Sequence, residues 1–593
     1  MGNAQAVAAT REQRAQRLQQ VRDRMRQRGL DAYIVRGTDR YLNEYVPTAE
    51  STRAWLSGFT GSVADLVITP DKAYIFVDGR YYLQGEQETD PAHYQVVKVP
   101  LGTANESSMY VLLRQLAGQG VKQLGYEPDR FSVADLAAMR AALDGSGLSL
   151  TAVQPSLVEE VRGSIASSVG KLRAVPVSIA GRSVEDKLAV LRQELRDSKL
   201  DAMVLQALDE IAYLVNLRGD EIAFQATFKA VAVVTSERLV LALPGRDRGR
   251  GLELPEQVTI VDEAAWGDAL PTARQPCRVG FDEGSTTEAV RAEIARRGAT
   301  PISHKSPLRT LKAHKNEAEF GHMLHAYRLA DKVIWATQGW FNRRIDGGQP
   351  TTEHDLKQEV IRRFRRSGGK GLSFEVIAGA GPHGAIIHYT EADATTPIAP
   401  GTLVLLDTGA FYDGGYATDL TRTFLAGKKA QATPRQRLLF TVVLKGAVNA
   451  MLARLPVGTK GYQLDAICRA PIWQAGFQYL HGTGHGVGIN VHEMPPRVSP
   501  IGDAALEPGH VFSIEPGIYV EGECGVRIEN LCTVVPDPAR AGFLRVVPIT
   551  FSPLDRRLIE PKLLDKRERA FLAWMQAQWR QELTALPVPL AID

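Results

Sequence analysis

The chain has 593 residues, and because domains of roughly 100–200 residues are usual, its length predicts three or four of them. Its 70 Lys and Arg nearly balance its 67 Asp and Glu, and a net charge of +3 argues against nucleic acid or a membrane surface as a partner. No segment is apolar enough for a signal peptide or a membrane span, and the four cysteines show no disulfide framework, although Cys524 and Cys532 are near enough in sequence to pair. These features predict a cytoplasmic protein that acts on small substrates.

The first predicted elements are a helix and a short apolar strand, and both recur 170 residues later. Each helix begins with a capping-box pattern and carries one apolar stripe at i, i+3 and i+7, formed by Leu18, Val21 and Met25 and then by Leu188, Leu191 and Leu195. Leu-Asp-Ala precedes each strand, at residues 30–32 and 200–202. These matching positions favour duplication of one α/β unit over a chance similarity between two helix–strand pairs.

Breaks in composition divide the rest of the chain. Residues 161–182 are rich in Ser, Gly and Pro and predict a linker, and a second break near 303–315 precedes a helical pattern that begins at Asn316. The predicted domains are therefore residues 1–160, 183–312 and 313–593. Only His93 among the 12 histidines lies before residue 300, so we expect the chemistry in the third domain.

Two segments of the third domain share one pattern of acids and turns. The first runs from Asp407 to Asp419 and the second from Glu515 to Glu529, and each follows an apolar strand and passes an acidic–Gly turn. The pattern predicts two hairpins with one carboxylate on each arm. Acids on solvated hairpin surfaces are the alternative. Four carboxylates that converge inside the protein would instead repel one another, and two divalent cations would cancel that charge.

Histidines set among glycines form the next pattern. The segment HGTGHGVGINVHE contains His481, His485 and His492, and its glycines allow the backbone to come close to a ligand. Imidazole is the commonest nitrogen ligand of transition metals, whereas a glycine-rich turn with incidental histidines is the alternative. His388, in GPHGAIIHY, is a candidate mainly because of the other motifs.

One imidazole with four carboxylates is a hard, oxygen-rich ligand set. It suits Mn²⁺, Co²⁺ or Zn²⁺ better than Cu(I) or iron–sulfur clusters, which prefer thiolates. Two metals about 3.5–4 Å apart can share a nucleophilic hydroxide and polarise a carbonyl. This combination suits hydrolysis of an N-terminal peptide bond.

The ordered set of motifs resembles the M24 metallopeptidases with the creatinase, or pita-bread, fold. It comprises two Asp, a His in HGTGHGVG, a Glu in EPG and a Glu in RIEN, within residues 314–551. Segments 43–45, 55–62, 78–84 and 208–219 are similar to the long, three-domain Xaa-Pro aminopeptidases of that group, as is the tail at 553–559 with Trp574. The resemblance implies a mixed α/β and α+β protein with two creatinase N-terminal-like α/β domains followed by a C-terminal pita-bread catalytic domain.

The same resemblance implies the cofactor, the assembly and the role of each residue. Two divalent ions per chain, with Mn²⁺ expected ahead of Zn²⁺ or Co²⁺, would be held by Asp407, Asp419, His485, Glu515 and Glu529, and the expected assembly is a homodimer. Asp419 and Glu529 would bridge the metals, and a hydroxide between the metals would attack the peptide bond.

The remaining residues of the resemblance would assist this attack. Glu515 is a candidate general base, and His388 would stabilise the tetrahedral intermediate. His492 would line the substrate site and assist proton handling, His481 would edge the pocket, and Arg527 would orient the ligands.

One spacing departs from the family pattern, because Asp407 and Asp419 are twelve residues apart, one more than is usual there. An even separation predicts a three-residue loop or a bulge, and we expect the turn near Gly414 and Gly415 to absorb the additional residue.

The expected activity is release of the first residue from Xaa-Pro peptides. A prolidase acting on Xaa-Pro dipeptides is the nearest alternative, since the metal motifs do not separate the two, and the upstream domains favour the peptide-cleaving form. A non-enzymatic pita-bread binding protein is the alternative from another class, although such proteins lose the ligands that this chain retains.

Overall fold

The computed structural model describes residues 9–47, 50–163, 165, 169–272 and 276–585. Residues 1–8, where no signal peptide is predicted, lie outside these ranges, as do residues 164 and 166–168 of the predicted linker. The described chain forms two compact units, one of residues 9–177, 182–223 and 227–308 and the other of residues 178–181, 224–226 and 309–585. None of the helices in these ranges has the length and apolar character needed to cross a membrane.

The α-helices of the described ranges are numbered in chain order. They are α1 (Arg11–Gln27), α2 (Thr52–Ser57), α3 (Tyr82–Glu88), α4 (Asn105–Gly118), α5 (Val133–Leu143), α6 (Leu157–Arg162), α7 (Val177–Ala180), α8 (Val184–Asp197), α9 (Leu208–Leu214), α10 (Glu288–Arg296), α11 (Pro307–Ala313), α12 (Glu317–Asp346), α13 (Glu353–Arg366), α14 (Pro434–Met451), α15 (Gly461–Gln474) and α16 (Lys566–Ala585). Short 3₁₀ turns occur at Arg246–Gly249, Glu263–Ala269, Gly381–Ala385, Asp413–Gly415, Arg556–Leu558 and Pro561–Leu563.

The strands of the same ranges fall into two groups. Those of the first unit are β1 (Ala32–Val35), β2 (Asp65–Ile68), β3 (Ala73–Val77), β4 (Tyr94–Lys98), β5 (Gln123–Tyr126), β6 (Ser149–Ala152), β7 (Arg173–Ala174), β8 (Ala202–Leu205), β9 (Leu217–Arg218), β10 (Val231–Thr235), β11 (Leu239–Leu243), β12 (Val258–Asp262), β13 (Arg278–Phe281) and β14 (Thr300–Ser303). Those of the second unit are β15 (Gly371–Leu372), β16 (Ile377–Ala380), β17 (Leu403–Thr408), β18 (Ala410–Phe411), β19 (Leu420–Leu425), β20 (Arg454–Pro456), β21 (Gly484–Gly486), β22 (Glu493–Val498), β23 (Val511–Ile514), β24 (Gly517–Val520), β25 (Cys524–Arg527), β26 (Asn530–Pro536) and β27 (Phe543–Pro548).

The first unit contains two six-stranded sheets with the same topology. Their strand orders are β4-β3-β2-β1-β5-β6 and β12-β11-β10-β8-β13-β14. In each sheet the central strand pairs antiparallel with one neighbour and parallel with the other, β1 with β2 and β5, and β8 with β10 and β13. This equivalence confirms the duplicated α/β unit that the sequence repeat predicts.

Helices α1 and α8 precede the equivalent strands β1 and β8. Both capping boxes are present, and the apolar stripe of each helix is buried, at Leu18, Val21 and Met25 and at Leu188, Leu191 and Leu195. The two sheet domains join where the N-caps of α5 and α10, Ser132 and Thr287, form an antiparallel bridge and the N–H of Val133 donates to the carbonyl of Thr286 at 3.0 Å. This contact accounts for the grouping of both repeats in one unit.

In the second unit, two helix pairs each cover one sheet. Helices α12 and α13 pack against the sheet β16-β17-β19, and α14 and α15 pack against the sheet β20-β27-β26-β23-β21-β22. The cores between them are apolar, with Val333, Val360 and Leu406 in the first and Val443, Cys468 and Phe512 in the second, all fully or almost fully buried. Each helix pair therefore supports one of the two acid-bearing hairpins from behind.

The first hairpin keeps one register from its base to its turn. Leu403 faces Leu425 in the β17–β19 pair, and the same register continues to the bridge between Phe411 and Ala417. The Asp413–Gly415 turn then closes the hairpin, with Gly414 and Gly415 at φ +84° and +71°, where glycine has no Cβ to clash. The prediction that the turn absorbs the additional residue between the two Asp is confirmed.

The second hairpin likewise keeps one register across two strand pairs. Ile514 faces Asn530 in β23–β26, and Gly517 faces Arg527 in β24–β25. Cys524 lies opposite Val520 and Cys532 opposite Phe512, so the two thiols do not meet, and all four cysteines are free and buried. The pairing of Cys524 with Cys532 that the sequence allowed is therefore not formed.

Candidate metal centre

Four carboxylates lie where the two hairpins meet. Asp407 is near the end of β17 and Asp419 directly precedes β19, while Glu515 directly follows β23 and Glu529 directly precedes β26. The backbone N–H of Glu529 donates to the carbonyl of Thr421 at 3.2 Å, which joins the second hairpin to the first. Asp407, Asp419 and Glu529 are buried, and the Glu515 side chain is only 17% exposed. The predicted acids are therefore buried and converge, so the solvated-surface alternative is wrong.

His485 on β21 directs one ring nitrogen at these acids. Its Nδ1 donates to the carbonyl of Gly486 at 3.1 Å, which leaves the lone pair on Nε2. Nε2 faces Asp419 Oδ2 at 3.5 Å and Glu515 Oε1 at 3.2 Å. One ligand atom each from Asp419, His485 and Glu529 lies within 4.8 Å of the others. Lone pairs this close require a proton or a cation between them.

Two carboxylate oxygens at the centre accept no hydrogen bond. Asp407 Oδ2 accepts from Arg527 Nη2 at 2.6 Å, but Asp407 Oδ1 is buried without a donor. Glu529 Oε2 accepts from Thr421 Oγ1 at 2.9 Å, but Glu529 Oε1 is likewise buried without a donor. Since buried polar atoms are nearly always paired, these oxygens, with the four carboxylates and one imidazole around them, fit divalent cations.

Burial and neighbouring charges together shift the pKa values of three of the acids. Burial, together with Glu529, Asp407 and Glu515, raises the pKa of Asp419 well above its usual value. Burial and the neighbouring Glu515 and Asp407 do the same for the pKa of Glu529. Burial would also raise the pKa of Glu515, but in the metal-free site the hydrogen bond and charge of a protonated His485 outweigh it and lower that pKa to about 2. Without a cation, these raised pKa values favour the protonated forms of Asp419 and Glu529.

A hydrogen-bonded chain connects Asp407 to His481. Arg527, which holds Asp407 Oδ2, also donates from Nη1 to the hydroxyl of Tyr519 at 2.8 Å. His481 Nδ1 donates to the carbonyl of Gly482 at 2.7 Å, so Nε2 accepts from the Tyr519 hydroxyl at 2.9 Å. Burial lowers the pKa of His481 to about 4. His481 is therefore a neutral imidazole with a fixed orientation.

His492 and His388 are related to this centre in different ways. The ring of His492 stands edge-on to that of His485, with 4.4 Å between centroids. His388 is connected through its neighbour, because the carbonyl of Ile387 accepts from Arg527 Nη1 at 3.3 Å. The structure thus brings the five ligand candidates together with Arg527, His481 and His492, and links the backbone beside His388 to Arg527.

Sequence reasoning missed the hydroxyls that support the acids. Thr421 donates to Glu529, and Ser513 donates from Oγ to Glu515 Oε1 at 3.1 Å. Each hydroxyl stands two residues from an acid, Thr421 from Asp419 and Ser513 from Glu515. Because strand residues two apart share a face, this spacing was the signal in the sequence that could have identified them.

A second group of possible ligands is less suitable for a metal. One ligand atom each from His314, Glu507 and His510 also lies within 4.8 Å of the others. However, His510 Nδ1 accepts from the backbone N–H of Glu507 at 3.2 Å, so its proton is on Nε2 and no lone pair remains for an ion.

Family models match three successive parts of the chain. Two models described as Creatinase/Prolidase N-terminal domain match residues 17–163 and 166–319, and the model of metallopeptidase family M24 matches residues 321–536. These matches confirm the predicted architecture of two creatinase N-terminal-like domains followed by a pita-bread domain.

Relatives and solved structures extend the similarity over nearly the whole chain. A probable Xaa-Pro aminopeptidase P of Ajellomyces dermatitidis is 32% identical, over 94% of each chain. The X-prolyl aminopeptidase of Caenorhabditis elegans, described as a cytosolic enzyme with a di-nuclear active site, superposes with a TM-score of 0.87 at 25% identity, over 96% of each chain. A Xaa-Pro dipeptidase of Bacillus anthracis shares the fold over 63% of this chain and 99% of its own, with 23% identity and a TM-score of 0.51.

Calorimetric titration of the metal-free protein with Mn²⁺ at pH 7 tests the ligand set. We expect two ions per chain and release of protons, because Asp419 and Glu529 have raised pKa values and must lose protons to bind; the affinity should therefore rise with pH. Repeating the titration in two buffers of different ionisation enthalpy gives the number of protons released. Asp419→Ala should bind fewer ions, whereas His388→Ala, which removes no candidate ligand, should still bind two. Binding without proton release would contradict this reading of the site.

Proposed function

We propose, since this chain belongs to the Xaa-Pro aminopeptidase P family of M24 metallopeptidases, that it releases the N-terminal residue from peptides with proline in second position. The observation that carries the proposal is the buried set of four carboxylates and one imidazole, whose two undonated oxygens fit divalent cations. The preference for proline is supported by relatives that match this chain over nearly its whole length and are named for that activity.

The proposed cofactor is a pair of divalent ions, with Mn²⁺ preferred over Zn²⁺ or Co²⁺ by the resemblance. The residues that would hold the pair are Asp407, Asp419, His485, Glu515 and Glu529. When bound, the pair supplies a water activated near neutral pH and a positive centre that polarises the scissile carbonyl. The di-nuclear site described for the nematode enzyme supports two ions rather than one.

The side chains around this centre have separate proposed roles. Glu515 accepts the proton of the attacking water. His388 donates a hydrogen bond to the negative charge that develops on the carbonyl oxygen. His492, edge-on to His485, lines the substrate site and assists proton transfer to the leaving group. His481, held as a neutral imidazole, borders the pocket and keeps Tyr519 in place.

Arg527 is proposed to set the orientation of this machinery. It is almost completely buried, and its guanidinium donates to Asp407, which is a candidate metal ligand, and to Tyr519, the partner of His481. The same guanidinium donates to the carbonyl of Ile387 and so also holds the backbone beside His388. Such a fork of fixed donors suits arginine and not lysine.

A prolidase is the main alternative, and a non-enzymatic binding protein is a more distant one. The Xaa-Pro dipeptidase of Bacillus anthracis is matched over 99% of its own length but covers only 63% of this chain. The relatives that cover nearly the whole chain are named as aminopeptidases, which supports the peptide-cleaving activity. Retention of all five ligand candidates argues against a binding protein without metals.

Hydrolysis of three peptides separates these activities. With Mn²⁺ added, Arg-Pro-Pro should lose its first residue, Arg-Pro and Arg-Ala-Ala should be cleaved little, and EDTA should abolish the reaction. Cleavage of Arg-Pro alone would indicate a prolidase. Failure to cleave any of the three by folded, metal-loaded protein would favour the binding protein.

The homodimer is also proposed for this chain, and one face of α15 supports it. Tyr462 and Trp473 are eleven residues apart, which places them on one side of this helix, and they are 46% and 49% exposed. Ile501, 41% exposed, is next to Gly502, whose carbonyl accepts from the Tyr462 N–H. Apolar side chains grouped in this way favour contact with a second copy.

Sedimentation velocity tests this assembly. The wild type should sediment as a dimer, and Trp473→Glu should shift it to a monomer because a charge on the apolar face cannot be buried without cost. Gln474→Glu, on the same helix, adds a charge at an exposed polar position and should leave the dimer intact. A monomeric wild type, or a dimeric Trp473→Glu, would contradict the proposal.

A cytoplasmic location is proposed as well. The nematode enzyme is described as cytosolic, and the four cysteines of this chain are free thiols, as is usual in a reducing compartment. Fractionation of cells that express the untagged chain should recover it with the cytosol, and recovery in a secreted fraction would oppose this location.

A further inference from the structure

One buried carboxylate holds both ends of the segment that carries His388. Glu353 is the first residue of α13 and is only 2% exposed. Its Oε1 accepts from the backbone N–H of Ala380 at 2.6 Å, and its Oε2 accepts from the backbone N–H of Asp393 at 2.8 Å. Residues 380–393 are therefore closed into a loop, named the His388 loop, at a single side chain.

Two side chains from within the His388 loop reach the same carboxylate. His383 Nδ1 donates to Glu353 Oε1 at 2.9 Å, and the hydroxyl of Tyr389 donates to Glu353 Oε2 at 2.8 Å. The rings of His383 and Tyr389 stack with 4.6 Å between centroids. Four donors thus meet one carboxylate, and hydrogen bonds to an ionised acceptor are about twice as strong as neutral ones.

The other side of the His388 loop rests on the second hairpin. The carbonyl of Ile387 accepts from Arg527, the residue that also holds Asp407. A Cβ at Gly525 would lie 1.7 Å from the carbonyl oxygen of Gly384, so the two backbones are in direct contact. His388 is therefore flanked by two anchors, Arg527 through residue 387 and Glu353 through residue 389.

We propose that Glu353 is a positioning residue whose carboxylate fixes His388 in the place from which it acts on the substrate. This inference rests on the role of His388 in the proposed function. Glu353 itself is not a metal ligand candidate, because its two oxygens already accept from four donors. Its effect passes through the loop, so loss of the carboxylate should impair the chemical step while both ions remain bound.

Glu353→Gln is the sharpest substitution for this test. Glutamine keeps the shape but offers one accepting oxygen and an NH₂ group, which cannot accept from the N–H and O–H donors it would face. Glu359→Gln is the matched control, since Glu359 is another buried acid of α13, paired with Arg362 and Arg363 and without a hydrogen bond to the His388 loop among those described.

The experiment compares the wild type, Glu353→Gln, His388→Ala, their double variant and Glu359→Gln in the metal-loaded protein. Turnover of Arg-Pro-Pro, bound metal and hydrogen–deuterium exchange are measured for each.

We expect kcat of Glu353→Gln to fall by up to about 100-fold at nearly unchanged KM and with both ions retained. Misplacement of a catalytic group by about 1 Å can lower the rate by this factor. The double variant should be no slower than His388→Ala, because both changes remove one contribution. Exchange should quicken in residues 380–393 and not in residues 403–425, and Glu359→Gln should match the wild type.

Several results would overturn the inference. One is a Glu353→Gln variant with the kcat and the hydrogen–deuterium exchange of the wild type, and another is loss of metal from that variant. The third is a double variant whose loss of kcat equals the product of the two single losses. Full activity of His388→Ala would overturn it together with the role of His388. A wild type that cleaves no Xaa-Pro peptide would instead contradict the proposed function, and the exchange data would then decide whether Glu353 anchors the loop.

Discussion

Repulsion among buried carboxylates is the constraint on which the rest of this structure depends. Oxygens of Asp419 and Glu529 lie within 4.8 Å of each other and of His485, with Asp407 and Glu515 beside them. Two ionised carboxylates at about 4 Å repel by about 4 kcal/mol at an effective dielectric constant of 20, so several such pairs approach the 5–15 kcal/mol by which a domain is stable. Protons or cations must compensate, and the raised pKa values of Asp419 and Glu529 are the proton form of that compensation.

The scaffold holds the acids in fixed positions and supplies only part of the compensating charge itself. Arg527 supplies one positive charge and donates hydrogen bonds to Asp407, Tyr519 and the His388 loop. The histidine-rich segment is packed backbone to backbone, since a Cβ at Gly484 would lie 1.8 Å from the carbonyl oxygen of Ser513. Glycine there lets His485 come close to the acids. The result is a fixed set of oxygen and nitrogen ligands, which is what an ion pair with defined geometry requires.

Local patterns in the sequence predicted what is local in the structure. The two capping boxes, the buried stripe of Leu18, Val21 and Met25 and the turn at Gly414 all follow from short-range spacing, and each is present. The acid–turn–acid pattern predicted both hairpins because one short segment determines both the turn and the pairing of the strands beside it. Glu353 was not found, since it lies far upstream of its loop on another helix and no spacing relates the two. The joining of the two repeat domains through Ser132 and Thr287 also depends on contacts that only the tertiary fold creates.

Anomalous X-ray diffraction at the manganese edge, from crystals grown with Mn²⁺, would locate the ions among the buried acids. Two anomalous peaks about 3.5–4 Å apart are expected. Both should lie among Asp407, Asp419, His485, Glu515 and Glu529, with Asp407 Oδ1 and Glu529 Oε1 within bonding distance of an ion. A single peak, or peaks located away from these oxygens in crystals that contain the metal, would contradict a two-ion site on these residues.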